Sequence, residues 1–213
     1  MPRTHTDIAD VVLARFGRTY AADAEIPLKD TPSPLYRLLV LATLLSARIS
    51  ADVGVSAARE LSSAGLRTPE KMLHAPWQQR VDALGRGHYR RYDESTARLL
   101  GDAAQLLLDD YRGDLRRLRD QTESTADVLR QLQRFPGIGP TGAAIFTREV
   151  QGVWPQVAPF FDDRALAGAR RVGLPDSPRG LAALVGPADL PRLAAGLVRI
   201  ALDRSSGTPL SEG

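Results

Sequence analysis

The segment RFPGIGPTGAAIF, residues 134–146, places glycine and proline inside a stretch whose apolar spacing is otherwise helical. Both residue types cost helix stability, so the segment is expected to bend between two helices. Gly137 and Gly139 can adopt backbone angles closed to other residues, and they leave main-chain amides uncovered. Amides at the start of the following helix form an anion site that fits a phosphate but reads no bases. A plain helical corner, in which the glycines only permit close packing, would explain the same residues.

A second segment suited to chemistry is RGHYRRY, residues 86–92, which combines three arginines with two tyrosines. Guanidinium groups pair with phosphates, and aromatic rings stack on bases. Tyr89, Arg90 and Arg91 are therefore predicted to contact nucleic acid.

The composition narrows the classes of protein to consider. A chain of 213 residues with 43% hydrophobic residues can fold as one domain or as two small ones. The absence of cysteine excludes disulfides, thiolate zinc sites and a cysteine-ligated [4Fe–4S] cluster. The formal charge is +3, and all basic residues but Lys29 and Lys71 are arginine, a bias that suits phosphate binding but also follows from a GC-rich genome. Because no signal-like or membrane-spanning apolar run is evident, we expect a cytoplasmic protein that does not contact membranes.

The elements that must position these residues are predicted to be helices. Apolar residues recur at helical spacing along most of the chain and no stretch alternates as a strand does, so the predicted class is all-α. The most apolar stretch, residues 35–49, is the predicted core helix, and residues 20–34 are predicted to be a loop. Residues 204–213 are predicted to form a frayed tail. Further helices are predicted at 6–16, 53–65, 68–75, 76–86, 92–111, 124–135, 141–150, 163–172 and 190–203.

The segment FPGIGPTGA, residues 135–143, resembles the helix-hairpin-helix of the endonuclease III superfamily of DNA glycosylases, also called HhH-GPD. In that family an apolar-Pro-Gly-apolar-Gly pattern is followed by two variable positions and small residues. The resemblance extends in the family's order over residues 30–203. It includes LLVLATLLSAR (38–48), GHYRRYDESTARLL (87–100) and DDRALAGARRVGL (162–174).

This resemblance implies a two-lobed helical glycosylase fold with the catalytic cleft between the lobes. Residues 35–150 would form a barrel-like helical lobe that ends in the helix-hairpin-helix, at about 124–150. Residues 1–34 and 151–213 would form the second lobe, which carries the candidate aspartate. The four cysteines that hold an iron–sulfur cluster in many members are missing here, so the resemblance implies a member without that cluster.

An aspartate in this family assists departure of the damaged base, either by stabilising positive charge on the sugar or by activating the attacking water. Counting back from RVGL, residues 171–174, the family register places Asp162 on the catalytic position and Asp163 on the polar position after it. A register slip of one residue would exchange them. From the residues alone, Asp162 also fits the N-cap of the following helix, and Asp163 fits a first-turn acid that favours the helix dipole.

Family members with lyase activity carry a lysine two residues after the second hairpin glycine, where its amine forms a Schiff base with the sugar. That catalytic position is Thr141 here, and neither Lys29 nor Lys71 lies near it in sequence. Threonine cannot form an imine. The resemblance therefore implies a monofunctional glycosylase that uses water, or a member with weak or lost activity.

The resemblance also implies DNA contacts. In the family a polar residue just after the early core helix enters the gap left by a flipped base, and Arg48 stands at that place. An arginine that extends from a helix end into solvent explains Arg48 equally well. A monovalent cation coordinated by main-chain carbonyls of the hairpin is a further implication, and no other metal or cofactor is expected. The hairpin residues expected to bind DNA are Gly137, Ile138, Gly139, Thr141 and Gly142.

The leading functional hypothesis is a DNA base-excision repair glycosylase that flips a damaged base and cleaves its N-glycosidic bond. Its partner would be double-stranded DNA with a damaged or mismatched base, bound by a monomer associated with the nucleoid. The alternative is a catalytically weak or inactive helix-hairpin-helix protein that binds damaged or structured DNA. A helical bundle with no nucleic-acid role ranks third. The excised base stays open among oxidised pyrimidine, uracil, alkylated purine and mismatch.

Overall fold

The computed structural model describes residues 4–203, and within that range the chain forms helices and no strand. The predicted all-α class is confirmed. The predicted tail, residues 204–213, lies outside the described residues. The α-helices are α1 His5–Phe16, α2 Tyr20–Asp23, α3 Pro32–Ser46, α4 Ala51–Ser63, α5 Pro69–His74, α6 Trp77–Arg86, α7 Asp93–Tyr111, α8 Leu115–Asp120, α9 Thr125–Leu132, α10 Pro140–Val150, α11 Asp163–Arg171, α12 Pro178–Ala182 and α13 Leu190–Leu202.

The short helices α2, α8 and α12 were not predicted. They contain 4, 6 and 5 residues, which is too few for a helical period to show in the sequence. Helix α2 also corrects the prediction of a loop over residues 20–34. Helix α3 begins and ends three residues earlier than predicted. Its first residue is Pro32, whose fixed φ suits a helix start, and Ala47 is already extended with ψ 160°.

Helix starts are fixed by side-chain caps. The hydroxyls of Thr68 and Ser124 accept hydrogen bonds from backbone amides three residues later, at the starts of α5 and α9. Ser50 caps α4 in the same way, and Thr4 forms a reciprocal capping box with Asp7. Such caps satisfy amides that have no partner inside the helix.

The chain divides into two compact units, one of Met1–Tyr20 with Arg148–Gly213 and the other of Ala21–Thr147. The division falls inside helix α10. Residues 21–34 group with the central part of the chain, whereas the sequence prediction assigned them to the unit formed by both termini.

The unit of Ala21–Thr147 is built on α3, as the apolar run over residues 35–49 predicted. Leu35, Leu38, Leu41 and Leu44 are each at most 1% exposed. Helix α4 packs on α3, α6 packs on α4, and α7 packs on both α5 and α6. Burial of a leucine contributes about 2 kcal/mol to folding, so α3 supplies much of this unit's hydrophobic stabilisation.

In the unit formed by both termini, α13 is the central helix. It packs against α1 and α11, and it buries Leu193, Leu197 and Ile200. Two glycines permit this close packing: a Cβ on Gly168 of α11 would lie 1.9 Å from the Leu197 carbonyl oxygen, and one on Gly196 would lie 2.8 Å from Val12. The contact at Gly168 is with backbone, so α11 and α13 cross at a distance that only glycine allows.

Candidate active site and nucleic-acid interface

Residues 135–140 form a tight turn, called here the hairpin turn, which joins α9 to α10. Gly137 has φ +86°, in the left-handed region that favours glycine. The Ile138 amide donates to the Phe135 carbonyl at 2.9 Å, and both side chains are buried. Pro140 is the first residue of α10, where its missing amide proton costs no helical hydrogen bond. The bend predicted from the glycines and prolines is confirmed.

The hairpin turn lies against the C-terminal end of α3. The single proton of the Ser46 hydroxyl is shared between the Thr43 carbonyl at 2.7 Å and, more weakly, the Gly137 carbonyl at 3.4 Å. A Cβ on Gly137 would meet Thr43 Cγ2 at 2.9 Å. Gly137 is therefore required by packing as well as by its φ. Arg48 follows Ser46 by two residues and is exposed. The fold thus brings the segment of Arg48 and the hairpin together, although they are far apart in sequence.

Gly139 differs from Gly137, because packing does not require it. A Cβ at Gly139 would have no neighbour within 4 Å, and its φ is not left-handed. Its open surface lies at the start of α10, where the first amides have no helical partner. Thr141 is exposed on the same turn of helix, whereas Gly142 is buried against Ile138. Packing thus accounts for glycine at positions 137 and 142. Gly139 is exposed, so a phosphate can approach the backbone there. Their contacts with DNA stay predictions.

We expect Gly139→Ala to weaken DNA binding without destabilising the protein. The added methyl group meets no protein atom but covers the amides at the start of α10, so affinity for an abasic duplex should fall about 5- to 30-fold, the loss of one charge-assisted hydrogen bond. Fluorescence anisotropy at several salt concentrations measures this effect. Gly186→Ala is the matched control, because that glycine also meets nothing within 4 Å. Equal affinities for both variants would contradict a phosphate site at Gly139.

The segment RGHYRRY is only partly an exposed surface. Tyr89 is 1% exposed, and burial raises the pKa of its hydroxyl. The prediction that Tyr89 contacts nucleic acid is therefore wrong, because its ring serves the hydrophobic core. Gly87 is also a packing residue: a Cβ there would lie 2.4 Å from Ala57 Cα.

Arg90 and Arg91, in contrast, are exposed. The Arg91 guanidinium lies 5.2 Å from the centroid of the Tyr92 ring, a cation–π contact that does not use its N–H groups as hydrogen-bond donors. Within residues 4–203 neither Arg90 nor Arg91 forms an ion pair, and the same is true of Arg48. These three guanidinium groups remain available for phosphates.

Asp162 is the N-cap of α11. Its Oδ1 accepts a hydrogen bond from the Ala165 amide at 3.1 Å, and its side chain is 16% exposed. Asp163 is the first residue of α11 and is exposed. The capping role predicted for Asp162 is confirmed. The catalytic role of either aspartate stays a prediction, but only Asp162 is a rigidly held carboxylate.

The hydrogen-bond partner of Asp162 Oδ2 was not predicted from the sequence. Arg148 Nη1 donates to Asp162 Oδ2 at 2.7 Å, and the Arg148 side chain is only 2% exposed. The signal in the sequence is the polar run at the end of α10, where Arg148, Glu149 and Gln151 follow an apolar stretch. All three side chains are buried. Buried polar groups require partners, so such a run indicates tertiary hydrogen bonds.

The main-chain carbonyls of the hairpin turn keep lone pairs that suit a monovalent cation. The carbonyl oxygens of Phe135, Gly137 and Gly139 each accept one hydrogen bond, from Ile138, Ser46 and Ala143. Each keeps a second lone pair, and neutral oxygens suit a weakly hydrated cation. The cation itself stays a prediction. In the described part of the chain, no group of histidine, aspartate and glutamate residues is arranged to hold a metal ion, and no helix is long and apolar enough to cross a membrane.

No protein-family model matches the sequence, and no curated protein matches it. Solved structures do resemble its fold. One is a non-covalent complex of endonuclease III with DNA, at 17% sequence identity over 80% of this chain and 73% of that chain, with a TM-score of 0.50. Another is a thermostable thymine-DNA glycosylase, at 14% identity over 92% of this chain and 86% of that chain, with a TM-score of 0.54. This chain therefore has the all-helical fold of the helix-hairpin-helix DNA glycosylases.

Proposed function

We propose that this chain is a DNA base-excision repair glycosylase, acting as a monomer on double-stranded DNA, that flips out a damaged or mismatched base and hydrolyses its N-glycosidic bond. The observation that carries the proposal is the position of Asp162. Its carboxylate is fixed as the N-cap of α11, in a chain whose fold resembles that of known glycosylases. A fixed carboxylate is the group that hydrolysis of a glycosidic bond requires.

DNA binding uses main-chain amides at the start of α10 and guanidinium groups that form no ion pair in the described residues. The amides around Gly139 hold a phosphate at the start of α10, and Arg90 and Arg91 add phosphate contacts. A base inside a duplex must swing out before its bond to the sugar is accessible. Arg48 enters the space that the base leaves, where its planar guanidinium stacks and donates to the unpaired base opposite.

Asp162 then promotes departure of the base. The bond between C1′ and the base nitrogen breaks with its electron pair on the base, and positive charge develops on the sugar. The carboxylate stabilises that charge and accepts a hydrogen bond from the incoming water. The water oxygen bonds to C1′, one hydrogen stays on it, and the other proton passes through Asp162 to the departing base. The products are a free base and an abasic site.

The reaction stops at the abasic site. Strand cleavage by a lyase needs an amine that forms an imine with the opened sugar, and Thr141 supplies only a hydroxyl at that position. The proposed enzyme is therefore monofunctional and makes no strand break of its own.

A second hypothesis, a binding protein with weak or lost activity, draws support from the contact between Arg148 and Asp162. A guanidinium 2.7 Å from the carboxylate offsets part of the negative charge that would stabilise a sugar cation. Under this hypothesis the fold holds damaged or structured DNA through the same amides and arginines, without chemistry.

Single-turnover incubation with duplexes that each carry one lesion, or an abasic site, distinguishes the two functions. Each sample is divided between direct electrophoresis and electrophoresis after hot alkali. We expect breaks only after alkali, which reveals abasic sites, on one or more of the lesion duplexes. Direct breaks that borohydride traps as a protein–DNA adduct would contradict the monofunctional assignment. Salt-sensitive binding with no product on any duplex would favour the binding protein.

A further inference from the structure

Two residues at the C-terminal end of α10 or just after it, Arg148 and Gln151, hydrogen-bond to residues 160–162. Arg148 Nη1 donates to Asp162 Oδ2 at 2.7 Å. The Gln151 amide makes both main-chain contacts of Phe160: its Oε1 accepts from the Phe160 amide at 2.9 Å, and its Nε2 donates to the Phe160 carbonyl at 3.0 Å. The backbone two residues before Asp162 and the Asp162 carboxylate are thus fixed to one helical end.

The Arg148 side chain is retained at an energetic cost. It is 2% exposed, and removing a guanidinium from water is costly even when it is paired, because the attraction of the pair need not offset the lost hydration. Its Nε is buried and has no hydrogen-bond partner among the described residues. A methionine would fill similar space without these costs. An arginine that is expensive for stability, and whose charged contact is with the candidate catalytic carboxylate, indicates a role in that carboxylate's function.

The contact leaves Asp162 able to react. A carboxylate offers about four lone-pair sites on its two oxygens. The Ala165 amide occupies one on Oδ1, and Arg148 occupies one on Oδ2. The remaining lone pairs, on a side chain that is 16% exposed, are free to meet a water molecule or a sugar cation.

We propose that Arg148 is a positioning residue for Asp162: its buried guanidinium holds Oδ2 in place, so that this mostly buried carboxylate keeps one orientation. The proposal rests on the glycosylase function proposed above. Removing the guanidinium releases Oδ2, and the carboxylate is then held through Oδ1 by the Ala165 amide. A carboxylate that leaves its position stabilises positive charge on the sugar less well, so the catalytic benefit of Asp162 depends on Arg148.

The test measures preference for a sugar cation and needs no turnover. One duplex carries a pyrrolidine abasic analogue, whose ring nitrogen is positively charged, and the other carries the neutral tetrahydrofuran analogue. The measured quantity is the ratio of the two dissociation constants. It is determined for the wild type, Arg148→Met and Arg148→Lys, and for Asp162→Asn with and without Arg148→Met. Thr147→Val is the control, since it removes a neighbouring buried hydroxyl that donates to the Ala143 carbonyl of its own helix.

We expect the wild type to prefer the cation, and Arg148→Met to lower that preference about 10- to 100-fold. Arg148→Lys should restore part of it, Thr147→Val should leave it intact, and Arg148→Met should have no further effect when Asp162 is already asparagine. Circular dichroism confirms that each variant is folded. The positioning role alone would be overturned if Arg148→Met lowered the preference for the cation equally with aspartate and with asparagine at position 162. An unchanged or increased preference in Arg148→Met would overturn it too. A wild type without preference for the cation would overturn the glycosylase function and the positioning role with it.

Discussion

Asp162→Asn should lower the single-turnover rate of base excision by at least about 10²- to 10³-fold while leaving affinity for an abasic duplex within about threefold. Asparagine has nearly the same shape and is as good an N-cap as aspartate, so the start of α11 is preserved. It carries no negative charge to stabilise the sugar cation. Because the DNA contacts proposed above are made by amides and arginines elsewhere, we expect the substitution to change the rate rather than the dissociation constant. Alkali-revealed strand breaks over time measure the rate, and anisotropy measures binding.

Asp163→Asn is the matched control, since Asp163 is adjacent, chemically identical and exposed. It should lose only the favourable interaction of a first-turn acid with the helix dipole, about 0.3–1 kcal/mol of stability, and far less of the rate. Asp162→Asn leaves the buried Arg148 without its charged partner, so its melting temperature must be measured and the assay run well below it. A larger rate loss for Asp163→Asn would mean that the family register is shifted by one residue.

The sequence predicted the longer helices and the bend at residues 135–140 because each leaves a local signal. Helices such as α3 and α7 have apolar residues at helical spacing over 15 and 19 residues. The bend has glycines and prolines where a helix would not tolerate them. The N-cap role of Asp162 was predicted for the same reason, because capping depends on a residue type and its immediate neighbours.

The contacts that hold the candidate site were not predictable in this way, because they join distant residues. Arg148 and Asp162 meet only because the chain after α10 turns back, and Gln151 on Phe160 helps to hold that turn. Polar side chains on a helix are normally assigned to solvent. The prediction for Tyr89 was wrong because the local sequence is ambiguous. An aromatic ring among arginines suits both a nucleic-acid surface and a core, and only the packing of distant residues distinguishes the two.

Gly168→Ala should destabilise the protein more than most single substitutions, although alanine favours helix by about 1 kcal/mol over glycine. The new Cβ would lie 1.9 Å from the Leu197 carbonyl oxygen and 2.7 Å from the Leu197 carbonyl carbon. Both are backbone atoms of α13, so no side chain can rotate aside and the two helices must separate. We expect a net loss of about 3 kcal/mol, or roughly 6–12 °C in melting temperature. Thermal unfolding followed by circular dichroism measures this shift.

The same substitution should also reduce catalysis, because α11 carries Asp162 at its N-cap. A helix displaced from α13 moves the carboxylate away from the hydrogen bond with Arg148, and a shift of about 1 Å in a reacting group costs around 10²-fold in rate. Gly186→Ala is the control, since its φ of −71° suits alanine and its Cβ meets nothing. A Gly168→Ala protein that melts within about 1 °C of the wild type would mean that α11 and α13 are farther apart in solution. In that case the close packing of α11 on α13 at Gly168 would not determine the position of Asp162.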